Sequence, residues 1–189
     1  MQRKSFDQMP CPIARSLEHV GEWWSILILR DALHGLTRFD QFQKSLGIAP
    51  NMLVRRLNAL VAAGLLERRR YSERPPRDEY VPTARARDFR PILIALLAWG
   101  NKHFAPEGPS VLLVDTRTGA AVDPVLVDSV TGRPITGPEY ALAPGPAAGE
   151  RTRRRFDSRA AAPGSGTHHP VRSRGHPIAG VTGRRSHPK

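Results

Sequence analysis

PNMLVRRLNALVAAG, residues 50–64, has the period of a helix and two faces of opposite character. With Leu53 as origin and about 100° per residue, Leu57, Leu60 and Gly64 fall close to it and Val61 lies on the flank. Asn51, Arg55 and Asn58 fall on the far side, and Ala62 leaves that side uncrowded. Pro50 suits the first helical position, where its missing N–H costs nothing. Gly64 suits the left-handed residue just past the end, and Ile48 can pack back on Leu53 as a staple. One side is anchored, and the other offers amides and a guanidinium, groups that pair with adenine and guanine edges in a major groove. An ordinary amphipathic helix with a solvated face has the same pattern, so the neighbouring segments decide between the two.

Upstream, Thr37 can cap a short helix over residues 38–45, with Phe39, Phe42 and Leu46 inward. Gly47-Ile48-Ala49 then forms a tight turn, and two short helices joined this way make a helix-turn-helix unit. Downstream, residues 65–71 (LLERRRY) and 77–81 (RDEYV) read as strands, with SERPPR between them. Pro75 and Pro76 forbid regular pairing and predict a loop. A basic hairpin after a candidate recognition helix is a wing, and Arg68, Arg69, Arg70, Arg74 and Arg77 are placed toward phosphates or a minor groove.

Cys11-Pro12 opens a helix over Pro12–Val20 with Ile13, Leu17 and Val20 on one side and Gly21 ending it. Trp23–Leu33 is apolar round nearly its whole circumference, which predicts the centre of a bundle with its Trp residues as packing. Thr83 is expected to cap a last long helix reaching about His103, with Pro91 kinking it or marking its true start. A small winged domain cannot bury both this helix's stripe and the central helix. The surplus predicts an isologous homodimer through Ile13, Leu17, Phe89, Ile92, Leu93, Leu96 and Trp99.

Charge is unevenly spread along the 189 residues. Residues 1–105 hold 17 Lys/Arg against 10 Asp/Glu, residues 106–143 hold 2 against 5, and residues 144–189 hold 10 against 2. Two basic ends around an acidic middle predict a polyanion partner for the ends. Cys11 is the only cysteine, which excludes an intrachain disulfide and a Cys-rich zinc site. A nucleophile–base set, a phosphate loop and a metal-ligand cluster are all absent from the pattern, so no catalysis, cofactor or metal is expected. The N-terminus lacks a long apolar run, and a cytoplasmic protein with no membrane association is expected.

Taken together, CPIARSLEHVGEWWSILILRDALHGLTRFDQF, IAPNMLVRRLNALVAAGLLERRRYSERPPRDEYVPT and LIALLAWG resemble the HxlR-type winged helix-turn-helix transcriptional regulators over roughly residues 11–100. The resemblance implies a dimer on operator DNA of dyad symmetry. It puts Asn51, Val54 and Arg55 toward bases, Arg56 near the backbone and Arg77 in the wing. It also implies that a cysteine at the start of the first helix can sense electrophiles or oxidants. Cys11 stands there, where a helix dipole favours thiolate; the alternative is a small buried residue. Four positions depart from the family pattern: Trp23 replaces a usual Lys, Ala49 a Ser or Thr cap, and Arg85-Ala86 a Leu-Gly.

The expected fold is mainly α with a small β-wing. Residues 1–10 form a flexible N-terminus and 11–105 the winged helix-turn-helix DNA-binding and dimerisation domain. Residues 106–143 are a β-hairpin extension and 144–189 a disordered basic tail. The extension repeats Asp-x-x-Thr-Gly at Asp115 and Asp128, offset by 13 residues. Such paired knuckles resemble a zinc ribbon without its thiolates. In the tail, His168, His169, His176 and His187 read as solvated. The function expected is a sequence-specific double-stranded-DNA-binding regulator, a repressor, read through Asn51, Val54, Arg55, Arg56, Asn58, Arg68, Arg70, Arg74 and Arg77. A small aromatic effector between the Trp-rich core and the dimer helices, or Cys11, would control it. The rival reading is a winged-helix module that binds protein or RNA and touches DNA nonspecifically.

Overall fold

The computed structural model describes residues 5–160. Its elements are α1 (Pro12–Val20), α2 (Trp23–Leu33), α3 (Phe39–Leu46), α4 (Pro50–Ala62), β1 (Leu66–Glu73), β2 (Pro76–Pro82), α5 (Ala84–Arg87), α6 (Arg90–His103) and α7 (Glu150–Ala160). Two units divide the chain, Met1–Leu142 and Ala143–Lys189. Six helices and an antiparallel β1–β2 hairpin make the first a winged helix-turn-helix, the architecture the sequence predicts.

One core holds this unit together. Ile28, Leu29 and Ala32 of α2 meet Phe42 of α3 and Leu53, Leu57 and Leu60 of α4. Leu65, Leu66 and Tyr80 close it from the hairpin side and Ala86 from α5. The three α4 leucines are fully buried, each worth about 1.5–3 kcal/mol of transfer free energy. Ile48 is buried beside them, Gly47 adopts φ +61° in the turn, and Gly64 adopts φ +67° after the helix, as the spacing requires.

Three local expectations are corrected. Trp23 is 75% exposed, because the first position of α2 projects beyond the core instead of being enclosed by it. Thr37 does not cap α3: Gln41 Oε1 accepts from the Thr37 and Arg38 backbone N–H groups at 3.1 and 2.9 Å. Thr37 and Arg38 are extended and serve as an extra edge of the wing; Tyr80 N–H donates to the Thr37 carbonyl at 2.7 Å and Arg38 bridges Glu79. The wing strands are also longer than predicted. Pro76 pairs with Glu73 at the start of β2, where a missing N–H costs least, so the turn shrinks to Arg74-Pro75.

Thr83 caps only the single turn of α5, its Oγ1 accepting from Ala86 N–H. Pro91 marks the true start of the longer helix, and α6 has no buried residue. Residues 111–136 form the two expected knuckles, each held by one bridge, Val114 with Ala121 and Val127 with Pro134. Their hydrogen bonds repeat: Asp115 N–H to the Ala120 carbonyl and Asp128 N–H to the Arg133 carbonyl, both 2.9 Å. Gly119 and Gly132 take the left-handed turn position in each.

In the second unit, α7 occupies part of a stretch whose composition predicts no order. Residues 150–160 contain neither Pro nor Gly, and Glu150 pairs with Arg154 one turn on, which favours a local helix. The remainder of the tail, with its histidines, lies outside the described residues.

Candidate nucleic-acid interface

Helix α4 is clamped on every side but one. Its buried leucines face the core, and Arg56 Nη2 pairs with Glu22 Oε2 at 2.9 Å, at the N-cap of α2. At its C-terminal end, Thr83 Oγ1 donates to the Gly64 carbonyl at 2.7 Å and Arg85 Nη1 donates to the Ala63 carbonyl at 2.8 Å. A cation on the last carbonyls suits the negative end of the helix dipole. The departure at Arg85 therefore has a structural consequence: this residue restrains the C-terminal end of α4. Ala49 is the N-cap and makes no side-chain cap bond.

The unclamped side is the one expected. Asn51, Val54, Arg55 and Asn58 are all exposed on one helical row. Arg55 has no hydrogen-bonding or ionic partner among the described residues. Arg56 does not join this row. Its side chain is 12% exposed and paired with Glu22, away from the open row.

The wing divides its cations into two sets. Asp78 accepts from Arg70 Nε at 2.7 Å and from Arg68 Nε at 2.6 Å. Bonds first from Arg70 and then from Arg68 hold the Asp78 carboxyl below the usual carboxylate range. Arg69 Nη2 donates to Glu67 at 2.8 Å, which lowers the glutamate in the same way. Arg74 and Arg77, at the turn end of the hairpin, are exposed and unpaired among the described residues. Sequence pattern placed all five arginines on the wing but did not separate the neutralised from the free. Arg38 is an addition that the pattern missed: it stands over the Tyr71 ring at 4.8 Å and fastens the start of α3 to the wing. Tyr71 lies at the irregularity in the strand register between Arg70 and Ser72.

Of the expected dimer residues, Ile13, Leu17, Ile92, Leu96 and Trp99 are exposed, while Phe89 and Leu93 are half-buried and Phe89 packs on the core. Cys11 is the N-cap of α1, half-buried and free. A cleft of about 260 Å³ lies between α1, the end of α4 and the α5–α6 junction, lined by Val20, Leu65, Phe89 and Ile92 with His19 and Arg85 among the polar groups. Among the described residues no group of three His, Cys, Asp or Glu could hold a metal. No helix among them is long and apolar enough to cross a membrane.

A winged helix-turn-helix with an exposed amide–guanidinium row defines the class. The model of the HxlR-like helix-turn-helix family matches residues 19–108. An uncharacterized HTH-type transcriptional regulator of Mycobacterium bovis is 40% identical over 135 residues, 71% of this chain and 85% of that protein. Another, from Synechocystis, is 39% identical over 98 residues, 51% of this chain and 73% of that protein. Among solved structures, a candidate transcription factor from Pseudomonas aeruginosa is 58% identical, spans 77% of this chain and 99% of its own, and superposes with a TM-score of 0.56. A second candidate transcription factor is 38% identical over 74% of this chain and 99% of its own, with a TM-score of 0.67. The chain belongs to the HxlR-like helix-turn-helix family of transcriptional regulators; it is a regulator and not an enzyme.

Proposed function

We propose that this regulator is a cytoplasmic homodimeric repressor that recognises a pseudo-palindromic operator through α4. The observation that carries the reading is the single open face of an otherwise fully clamped helix, Asn51, Val54, Arg55 and Asn58. Asn is the bidentate partner of adenine and Arg of guanine, so this row has base-reading chemistry. Arg74 and Arg77 contact the flanking backbone or minor groove, and Arg68 and Arg70 contribute once displaced from Asp78. The unburied stripe of α6, with Ile13 and Leu17 of α1, supports an isologous dimer.

Effector control enters through the cleft beside α1 and α6, whose apolar lining and Arg85 suit a small aromatic ligand. Filling it would press on the end of α4 and change the spacing of the two reading heads. Control through Cys11 is the alternative entry point. Diamide treatment of wild type and Cys11→Ser decides it: loss of the response in the variant assigns sensing to the thiol, and equal responses remove it.

The operator test is competitive gel shift with the native promoter and a scrambled duplex. Arg55→Ala is expected to lose about 1–3 kcal/mol of discrimination at its base pair. Unchanged discrimination in both Arg55→Ala and Asn51→Ala would overturn the reading in favour of a nonspecific nucleic-acid or protein-binding module.

A further inference from the structure

Five of the ten Lys/Arg of residues 144–189 stand in the eleven residues of α7, against Glu150 and Asp157. With Arg151 as origin and about 100° per residue, Arg154 and Arg155 fall within about 60° of it. Arg153 and Phe156 fall on the far side, and Arg153 Nε donates to the Ala148 carbonyl at 3.0 Å, ahead of the helix. The row itself is exposed. Arg151 has no partner among the described residues, and Arg154 pairs with Glu150 across side chains that are both 76% exposed. An ion pair that open to water is weak, so a phosphate displaces it.

The row does not stabilise its own helix. Phe156 is the only large apolar side chain of α7, so no stripe anchors it, and a helix of this length is marginal in water. Arg151 and Arg155, one turn apart, repel each other. A polyanion along the row removes that repulsion. Which polyanion follows from the groups present: these guanidinium groups stand without the asparagines that flank Arg55 on α4, so they fix phosphates and read no bases. A B-form duplex suits such a helix, because its major groove is about 12 Å wide and a helix is about 10–12 Å across. The deep, narrow major groove of A-form RNA does not.

We propose that α7 is a second DNA contact of this regulator, a sequence-independent clamp in which Arg151, Arg154 and Arg155 neutralise phosphates of duplex DNA. The inference rests on the DNA-binding reading of α4. One chain carries both helices, so binding through α4 holds α7 near the same duplex at high effective concentration. The clamp raises affinity for every duplex alike and leaves the choice of operator to α4.

Salt titrations of the full chain with operator and scrambled duplexes, read by fluorescence anisotropy, test it. Arg151→Gln, Arg154→Gln and Arg155→Gln combined are expected to lower the slope of log affinity against log salt by about 2–3 units. Affinity for both duplexes should fall about tenfold or more near 0.1 M salt, with the preference between them and the thermal unfolding midpoint unchanged. The same three positions changed to Lys should keep the wild-type slope, since counterion release depends on charge. Arg172→Gln, Arg174→Gln and Arg184→Gln combined remove equal charge elsewhere in residues 144–189 and should lower the slope by less than about one unit. Equal slopes for the two Gln variants, or a wild-type slope in the α7 variant, overturn the clamp; the α4 reading then stands if Arg55→Ala still loses discrimination. Tighter binding of wild type to double-stranded RNA than to a scrambled DNA duplex of the same length overturns DNA as the occupant. A wild-type chain that binds no duplex overturns both readings.

Discussion

Arg55 and Arg56 are adjacent in sequence and have opposite work to do. Arg55 is free and exposed, whereas Arg56 is spent on Glu22 with its Nε buried and unpaired. Arg56→Ala is therefore expected to lower stability by about 1–3 kcal/mol in urea titration, since it leaves Glu22 without that partner. Preference between operator and scrambled duplex should survive it, unlike in Arg55→Ala. Asp78 is the second informative residue. Because it occupies Arg68 and Arg70, Asp78→Asn is expected to tighten binding to any duplex and to steepen the salt dependence by about one unit of slope per arginine freed. Its folded-state carboxyl lies below the ordinary aspartate value of 3.8, so its contribution to the hairpin is present above that value and lost as pH falls through the lower, folded one. An acid titration followed by wing amide resonances should show the hairpin intact at pH 5 and loosening only below about pH 4.

Helix α4 is fixed by its buried side and by the contacts at its C-terminal end. Leu57→Ala is expected to cost about 2–5 kcal/mol, the range for a fully buried leucine, measured by denaturant unfolding. Gly64→Ala forces a side chain into φ +67° and toward Arg85 Nη1 at 3.4 Å, so a loss of about 1–2 kcal/mol is expected. Restraint by Arg85 makes a separate prediction. Arg85→Ala should leave the fold intact but weaken operator binding by loosening the last turn of α4, read as faster amide exchange there. The wing illustrates the opposite kind of element, one whose outline is readable but whose wiring is not. Strand propensity and basic residues mark residues 65–81 as a hairpin, yet the pairing of Arg68 and Arg70 with one carboxylate depends on the cross-strand register of Arg70 with Asp78.

In the proposed dimer, two copies of α4 would enter successive major grooves about 34–36 Å apart. Operators with half-sites moved by half a helical turn are expected to lose specific binding, which footprinting on a spacing series would read directly. Leu96→Glu should abolish operator binding at concentrations where wild type is dimeric, without altering Arg55 or the wing. The distinction between recognition chemistry and assembly is thereby experimentally separable.

Residues 50–64 alone determined that an anchored helix presents Asn51, Arg55 and Asn58, because helical period and the end signals of Pro50 and Gly64 are local properties of the chain. The same logic located α1 and the twin Asp-x-x-Thr-Gly knuckles. Only the tertiary structure decided that Arg56 turns inward, that Trp23 stands outside the core, and that Arg85 seals the end of α4. Each of these depends on which distant group comes within a few ångströms, Glu22 for Arg56 and the Ala63 carbonyl for Arg85. Separation in space of that kind is set by packing of the leucine core and leaves no periodic trace in the order of residues.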